Sequence, residues 1–138
     1  MSSQARRPRF HASRPATLAV VALGGAVGAL LRWGLELVLP HTQGWPWATL
    51  LANIAGSAAL AWLLVHDDRH RHPAWIRPAV GTGMLGGFTS FSTYAVQVAL
   101  LGEVEPAIAL AYLVSTPVLC VFAAALSGSL ALRAARAR

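Results

Sequence analysis

The sequence predicts an all-α integral membrane protein with four transmembrane helices. Its 138 residues are 56% hydrophobic and only 12% charged, whereas ordinary soluble domains are about 25% charged. Four stretches contain no charged residue, and they are 15–31, 37–66, 78–102 and 106–132. A helix needs about 20 apolar residues to cross a hydrocarbon core, and these stretches do not alternate as barrel strands would. We therefore predict helices over about 16–39, 47–66, 77–101 and 106–132.

Basic tails at 1–14 and 133–138 flank the predicted membrane domain of residues 15–132. Arginines followed by an apolar run could also mark a signal peptide. No small-residue cleavage site precedes a soluble domain, however, and three more apolar runs follow. We therefore interpret the first run as a retained helix.

The arginines predict the orientation of the chain. Ten of the eleven lie in the two tails and the 67–77 loop, and loops 40–46 and 102–105 contain none. Four spans place the tails and the 67–77 loop on one side of a cell membrane, so the positive-inside rule predicts that both termini are cytoplasmic. The net charge of +6 then reflects topology. Nucleic-acid binding is disfavoured because no basic stripe with interleaved aromatics is present.

The first two spans contain few polar residues, and polar residues inside membranes are functional candidates. Gly24 and Gly28 form a small-residue face suited to close helix packing. Arg32 could snorkel, pair with Glu36, or anchor a polar site. We favour a structural anchor that adds positive potential to a vestibule. Asn53, in TLLANIAGS, either bonds a neighbouring helix or faces a water-filled path, and the sequence leaves both open.

The third span is the most informative segment, with the sequence GTGMLGGFTSFSTY at 81–94. Four glycines in seven residues disfavour a continuous helix, and hydroxyl and aromatic residues follow them. We predict a helix broken at mid-membrane, where freed carbonyls could hold a cation and a half-helix N-terminus points inward. The alternative is a glycine-rich packing seam whose hydroxyls bond back to carbonyls.

The fourth span places Tyr112, Thr116 and Cys120 on one face, at intervals of four residues. Pro117 should kink this helix, with nearby hydroxyls or waters satisfying the freed carbonyl. The single cysteine gives neither an internal disulfide nor a metal site.

Two classes of protein are disfavoured by what the spans lack. No acid lies deep in a span, and a proton-coupled exchanger needs an ionisable group in its pathway. The chain also has no nucleophile–base pair, paired carboxylates or phosphate loop, so we do not expect an enzyme.

Three segments together resemble the Fluc/CrcB family of fluoride channels. They are GGAVGALLRW at 24–33, TLLANIAGS at 49–57 and GTGMLGGFTSFSTY at 81–94, with Tyr112 completing the match. The resemblance covers nearly all of the chain after the basic tail. It implies an antiparallel dimer of four-helix subunits with two narrow pores. It also implies passive export that lowers the cytoplasmic concentration and toxicity of fluoride.

The resemblance also implies roles for individual residues. A structural sodium ion, not transported, would be held by the backbone carbonyls of Gly86 and Thr89. Arg32 matches the arginine of the first span. The residues that the resemblance and the physics of anion coordination assign to the path of the anion are Asn53, Phe91, Ser92, Thr93, Tyr94, Tyr112 and Thr116. Tyr94 stands where the family often has Phe, and Thr116 where Ser is common.

Two alternative functions and two assemblies stay open. The alternatives are a small dual-topology drug/proton exchanger and a non-transporting membrane subunit. An antiparallel homodimer needs a chain that inserts both ways, which a ten-to-zero arginine bias disfavours. We therefore expect pairing with an oppositely oriented homologous subunit, with the homodimer as the alternative.

Overall fold

The computed structural model describes residues 14–39, 44–69 and 73–136, without the side chains of Asp68 and Arg69. Every element in these ranges is helical. The elements are α1 (Arg14–Val38), α2 (Trp47–Arg69), a π-helix (Arg77–Leu85), α3 (Gly86–Phe88), α4 (Phe91–Val104) and α5 (Pro106–Arg136). Four helical segments are long and apolar enough to cross a membrane: Arg14–Val38, Trp47–Asp67, Arg77–Val104 and Pro106–Arg136. The prediction of an all-α chain with four such helices is confirmed.

The helices run further than predicted at two polar ends. Helix α2 continues to Arg69 and helix α5 to Arg136, into segments that we had assigned to a loop and a tail. Basic residues in the last turn of α5 interact favourably with the helix dipole. Asp67, in the last turn of α2, pairs with Arg77 at 3.1 Å between Oδ2 and Nε. Most of the predicted N-terminal tail, at 1–13, lies outside the described residues, as do 40–43, 70–72 and 137–138.

The third span changes its backbone geometry along its length. It begins as a π-helix with Pro78 near its start, followed by the single turn of α3. Thr89 (φ −79°, ψ 153°) and Ser90 (φ −147°, ψ 110°) are extended, and α4 begins after them. The location of these two residues in the middle of a bilayer stays a prediction.

The first half of this span lies against α1 with almost no side chain between the two backbones. A Cβ atom on Gly24 would collide with the carbonyl oxygen of Ala79, and one on Gly28 with that of Met84. Only hydrogen fits at these positions, so the two backbones can approach closely. The predicted packing role of Gly24 and Gly28 is therefore present in the structure.

The second half of the span packs with α2 and α5 around a small core. Leu50, Tyr94 and Tyr112 form this core, and Ser127 of α5 donates a hydrogen bond of 2.7 Å to the carbonyl of Ala58 in α2. Large hydrophobic side chains are exposed along the outer faces of α1 and α5. Such surfaces are unfavourable in water but suit the hydrocarbon of a bilayer.

Candidate functional site: a groove at the interruption of the third span

Asn53 is bonded to the backbone where the third span is interrupted. Its Oδ1 accepts from the Ser90 N–H at 2.8 Å, and its Nδ2 donates to the Ser90 carbonyl at 3.2 Å. The side chain is nearly buried. The amide therefore satisfies both backbone groups of one extended residue, which otherwise would be costly away from water.

This arrangement leaves two carbonyls without the helical hydrogen bond that they would normally receive. The N–H four residues after Gly86 belongs to Ser90 and is donated to Asn53. The N–H four residues after Thr89 belongs to Thr93 and is donated to the Ser90 hydroxyl. Backbone carbonyls that lack a helical hydrogen bond can bind a hard monovalent cation, whether their residue is helical, as Gly86 is, or extended, as Thr89 is. The carbonyls of Gly86 and Thr89 thus fit the donor set expected for sodium.

Ser90 also starts the next helix. Its hydroxyl accepts from the Thr93 N–H at 3.1 Å and donates to Thr93 Oγ1 at 2.8 Å, so it is the N-cap of α4. Arg32 of α1 donates to the same Thr93 oxygen at 3.0 Å and lies 3.8 Å from Glu36. Arg32 therefore connects the first span to the start of α4 and carries its positive charge there.

A groove of about 380 Å³ lies beside the interruption, lined by residues of α2, the third span and α5. Thr116 lines it and is only 3% exposed. The residues predicted for the anion path or the cation that line this groove are Asn53, Gly86, Thr89, Phe91, Tyr94 and Thr116. The groove is thus mainly apolar, with a few polar residues in its lining.

Aromatic rings follow one another from the groove into the core. Phe91 is 80% exposed as a residue, and the centroid of its ring lies 5.8 Å from that of Tyr94. The Tyr94 centroid lies 5.3 Å from that of Tyr112. Trp45 contacts Tyr112 edge-on at 5.5 Å. Phe91 and Tyr94 therefore present rings at the groove, whereas Tyr112 is fully buried behind them.

Four predicted residues do not line the groove. Ser92 is exposed, with its Oγ 3.4 Å from that of Ser90. Thr93 and Arg32 bond each other on the side facing α1. Tyr112 lies in the core. The structure thus brings six of the ten predicted residues together and places these four around them.

Sequence reasoning missed the polar contacts that hold Tyr112. Gln97 accepts from the Tyr112 hydroxyl at 3.0 Å and donates to Thr49 Oγ1 at 2.9 Å. Both Thr49 and Tyr112 are buried. The sequence does contain a signal that could have identified Gln97, because it is the only residue with a side-chain amide in the charge-free run 78–102. These bonds position Tyr112 and tie α4 to α2 and α5.

The described residues contain no cluster of three or more His, Cys, Asp or Glu side chains that could hold a metal ion.

Comparison with known proteins gives a consistent picture. Residues 19–128 match the family model described as "CrcB-like protein, Camphor Resistance (CrcB)". A fluoride-specific ion channel FluC of Bordetella petrii is 43% identical over 125 residues, which are 87% of this chain and 88% of the relative. FluC 2 of Streptomyces avermitilis is 42% identical over 80% of this chain and 72% of its own. FluC 2 of Nocardia farcinica is 39% identical, over 96% of this chain and 94% of the relative.

Proposed function

The chain belongs to the CrcB family, and from this premise we propose that it is a fluoride-selective passive ion channel. Its relatives are named as fluoride-specific ion channels, so membership supports transport and not catalysis. The observation that carries the proposal is the groove, because residues with hydrogen-bonding side chains and two aromatic residues line it beside a helix interruption.

Asn53 is the central donor in this proposal. An amide has two N–H groups, and Asn53 donates one of them to the Ser90 carbonyl. The described residues offer no partner for the second N–H, and Asn53 lines the groove. The buried Thr116 hydroxyl lies along the same groove. Fluoride is small and tightly hydrated, so a pore must replace its water with such donors.

The aromatic rings complete the environment of the anion. The edges of Phe91 and Tyr94 carry partial positive charge, and both rings line the groove. Several weak sites in sequence let an ion enter and leave, whereas a fixed cation inside the path would trap it. The charge of Arg32 lies at the side, where it makes the approach to α4 attractive to anions.

A second subunit would cover the groove and close the path. Phe91 is largely exposed in the single chain, and a ring in that position gains contacts when an antiparallel partner packs on it. We expect an oppositely oriented homologue, because the arginine bias fixes one orientation in the membrane. Both termini would then be cytoplasmic, in a multi-pass protein of the cell membrane.

Sodium would be structural in this assembly. The carbonyls of Gly86 and Thr89 would hold the ion and thereby stabilise the interruption of the third span. When bound, the ion supplies positive potential and a fixed coordination point without being transported. The direction of flow would follow the membrane potential, since an inside-negative potential of about 100 mV favours outward movement of an anion by about 2.3 kcal/mol.

Efflux from liposomes tests the function. The protein is reconstituted in vesicles loaded with potassium fluoride or chloride, and valinomycin starts the efflux. We expect prompt fluoride efflux, little chloride efflux and no dependence on a proton gradient. Equal rates for both anions, or coupling to protons, would contradict a fluoride channel. Running the assay with and without a homologue of reversed loop charge tests the partner, since full efflux from this chain alone would contradict obligatory pairing.

The Asn53→Asp variant tests the path itself. A carboxylate cannot donate to the anion, repels it, and also opposes the Ser90 carbonyl. We expect fluoride efflux to fall by about 100-fold, since a hydrogen bond to a charged group contributes about 1.5–3 kcal/mol. Gln97→Glu is the matched control, because it is the same chemical change outside the groove lining, and its loss should be at least about tenfold smaller. Equal losses in both variants would refute the role of Asn53.

A further inference from the structure

Pro117 creates an unsatisfied backbone group in α5. Proline has no N–H, so the carbonyl four residues earlier, that of Leu113, receives no hydrogen bond from it. Water is absent from a bilayer core, which makes an unsatisfied carbonyl there costly. The helix nevertheless continues through Pro117 to Arg136, so another donor has to stabilise this turn.

That donor comes from a different helix. The hydroxyl of Tyr94 in α4 donates to the carbonyl oxygen of Leu113 at 2.6 Å. Tyr94 is buried, and both Tyr94 and Pro117 line the groove. A tyrosine hydroxyl has one hydrogen, so this bond uses the only proton that Tyr94 can donate. Its oxygen then has only lone pairs left, which do not attract an anion.

We infer that the Tyr94 hydroxyl substitutes for the missing N–H of Pro117 and is a positioning group, not a ligand of the anion. Phenylalanine at position 94 would place a ring in the groove but could not make this bond. The bond fixes the plane and edge of the Tyr94 ring, and it holds the turn that carries Thr116 and Cys120 against the groove. Its consequence for transport rests on the proposed channel function.

A double-mutant cycle tests the inference with Tyr94→Phe, Pro117→Ala and the double variant. Alanine at 117 restores an N–H that can bond Leu113, so the Tyr94 hydroxyl becomes dispensable. We expect Tyr94→Phe to lower fluoride efflux, and the ratio of fluoride to chloride efflux, by about tenfold when Pro117 is present. In the Pro117→Ala background the same change should alter both quantities less than about twofold.

Pro106→Ala is the matched proline control. Pro106 is the first residue of α5, where a proline removes no helical hydrogen bond. The loss caused by Tyr94→Phe should therefore persist fully in the Pro106→Ala background. Rescue by Pro106→Ala as well as by Pro117→Ala would overturn the inference, because it would show a general effect of proline removal.

Two further outcomes separate this inference from the proposed function. If Tyr94→Phe impairs efflux equally with and without Pro117, the hydroxyl acts on the anion itself and the inference is wrong. If the wild-type protein conducts no fluoride either alone or together with a homologue of reversed loop charge, the proposed function is wrong. The melting temperatures of the wild type, the two single variants and the double variant then decide the inference. If the decreases caused by Tyr94→Phe and Pro117→Ala simply add in the double variant, the inference is overturned. If Tyr94→Phe lowers the melting temperature much less in the Pro117→Ala background, the inference is supported.

Discussion

The two halves of the third span are held in place by opposite means. Its first half, the π-helix and α3, lies on α1 with backbone against backbone at glycine positions. Its second half, α4, is held to α2 and α5 by hydrogen bonds from Gln97 and Tyr94. The glycines that contact backbone between α1 and the first half should therefore tolerate no added atoms, whereas the second half should be sensitive to the loss of polar groups.

The largest expected effect is on the glycine contact. Valine at Gly28 would place its Cβ against the Met84 carbonyl and 2.8 Å from the Phe88 nitrogen. Neither backbone atom can move away without shifting a whole helix, so we expect a destabilisation of about 3 kcal/mol or more. The fraction of folded protein and its melting temperature in detergent measure this.

Gly34→Val is the control for this prediction. Gly34 lies on the same helix, and a Cβ there would meet nothing within 4 Å. Both variants replace glycine by valine in the same helix, so the change in helix propensity is the same. The difference between their stabilities therefore measures the effect of the contact at Gly28. Similar melting temperatures for the two variants would remove the basis for contrasting the two halves.

A smaller effect is expected at the hydrogen-bonded half. Leucine at Gln97 would leave the buried hydroxyls of Tyr112 and Thr49 without this partner. We expect a loss of about 2 kcal/mol, because an unsatisfied buried polar group costs about 1–3 kcal/mol. Thermal unfolding measures the loss, and Gln97→Glu should recover most of it by keeping an acceptor for Tyr112. A Leu variant as stable as wild type would mean that packing alone holds α4.

The smallest effect is expected at the point where the two halves meet. Alanine at Ser90 removes the N-cap of α4 but leaves the Asn53 bonds to its backbone. We expect a loss of about 1 kcal/mol, which is typical of a lost N-cap. Ser92→Ala is the matched control, since Ser92 is exposed and caps nothing. Equal unfolding temperatures for the two variants would count against a capping role for Ser90.

Much of the architecture was predictable because it depends on one-dimensional patterns. Charge-free runs gave the four helices to within a few residues, with α5 extended because its last turns are alanine-rich and favoured by Arg133 and Arg136. The π-helix and its close approach to α1 were not predictable. A sequence pattern shows where the glycines are, but not which backbone atoms lie next to them in the folded chain.

The candidate site was predicted only in part, because a sequence shows which residues are unusual but not which residues of other helices they contact. Asn53 could be identified as unusual, but the sequence left open whether it bonds a neighbour or faces a path. In the structure it bonds Ser90 and also lines the groove. Tyr94 was predicted for its ring, and its hydroxyl was not assigned to Leu113 because the two residues lie in different helices. Gln97 was overlooked for the same reason.

The sequence by itself determined the number, length and composition of the spans, because crossing a bilayer requires long runs of apolar residues. It also determined which few polar residues had to be stabilised inside them. Only the tertiary structure decided how this is done. The partner of each buried polar group, such as Leu113 for Tyr94 or Ser90 for Asn53, lies on another element, and the distance between elements is set by packing and not by chain order.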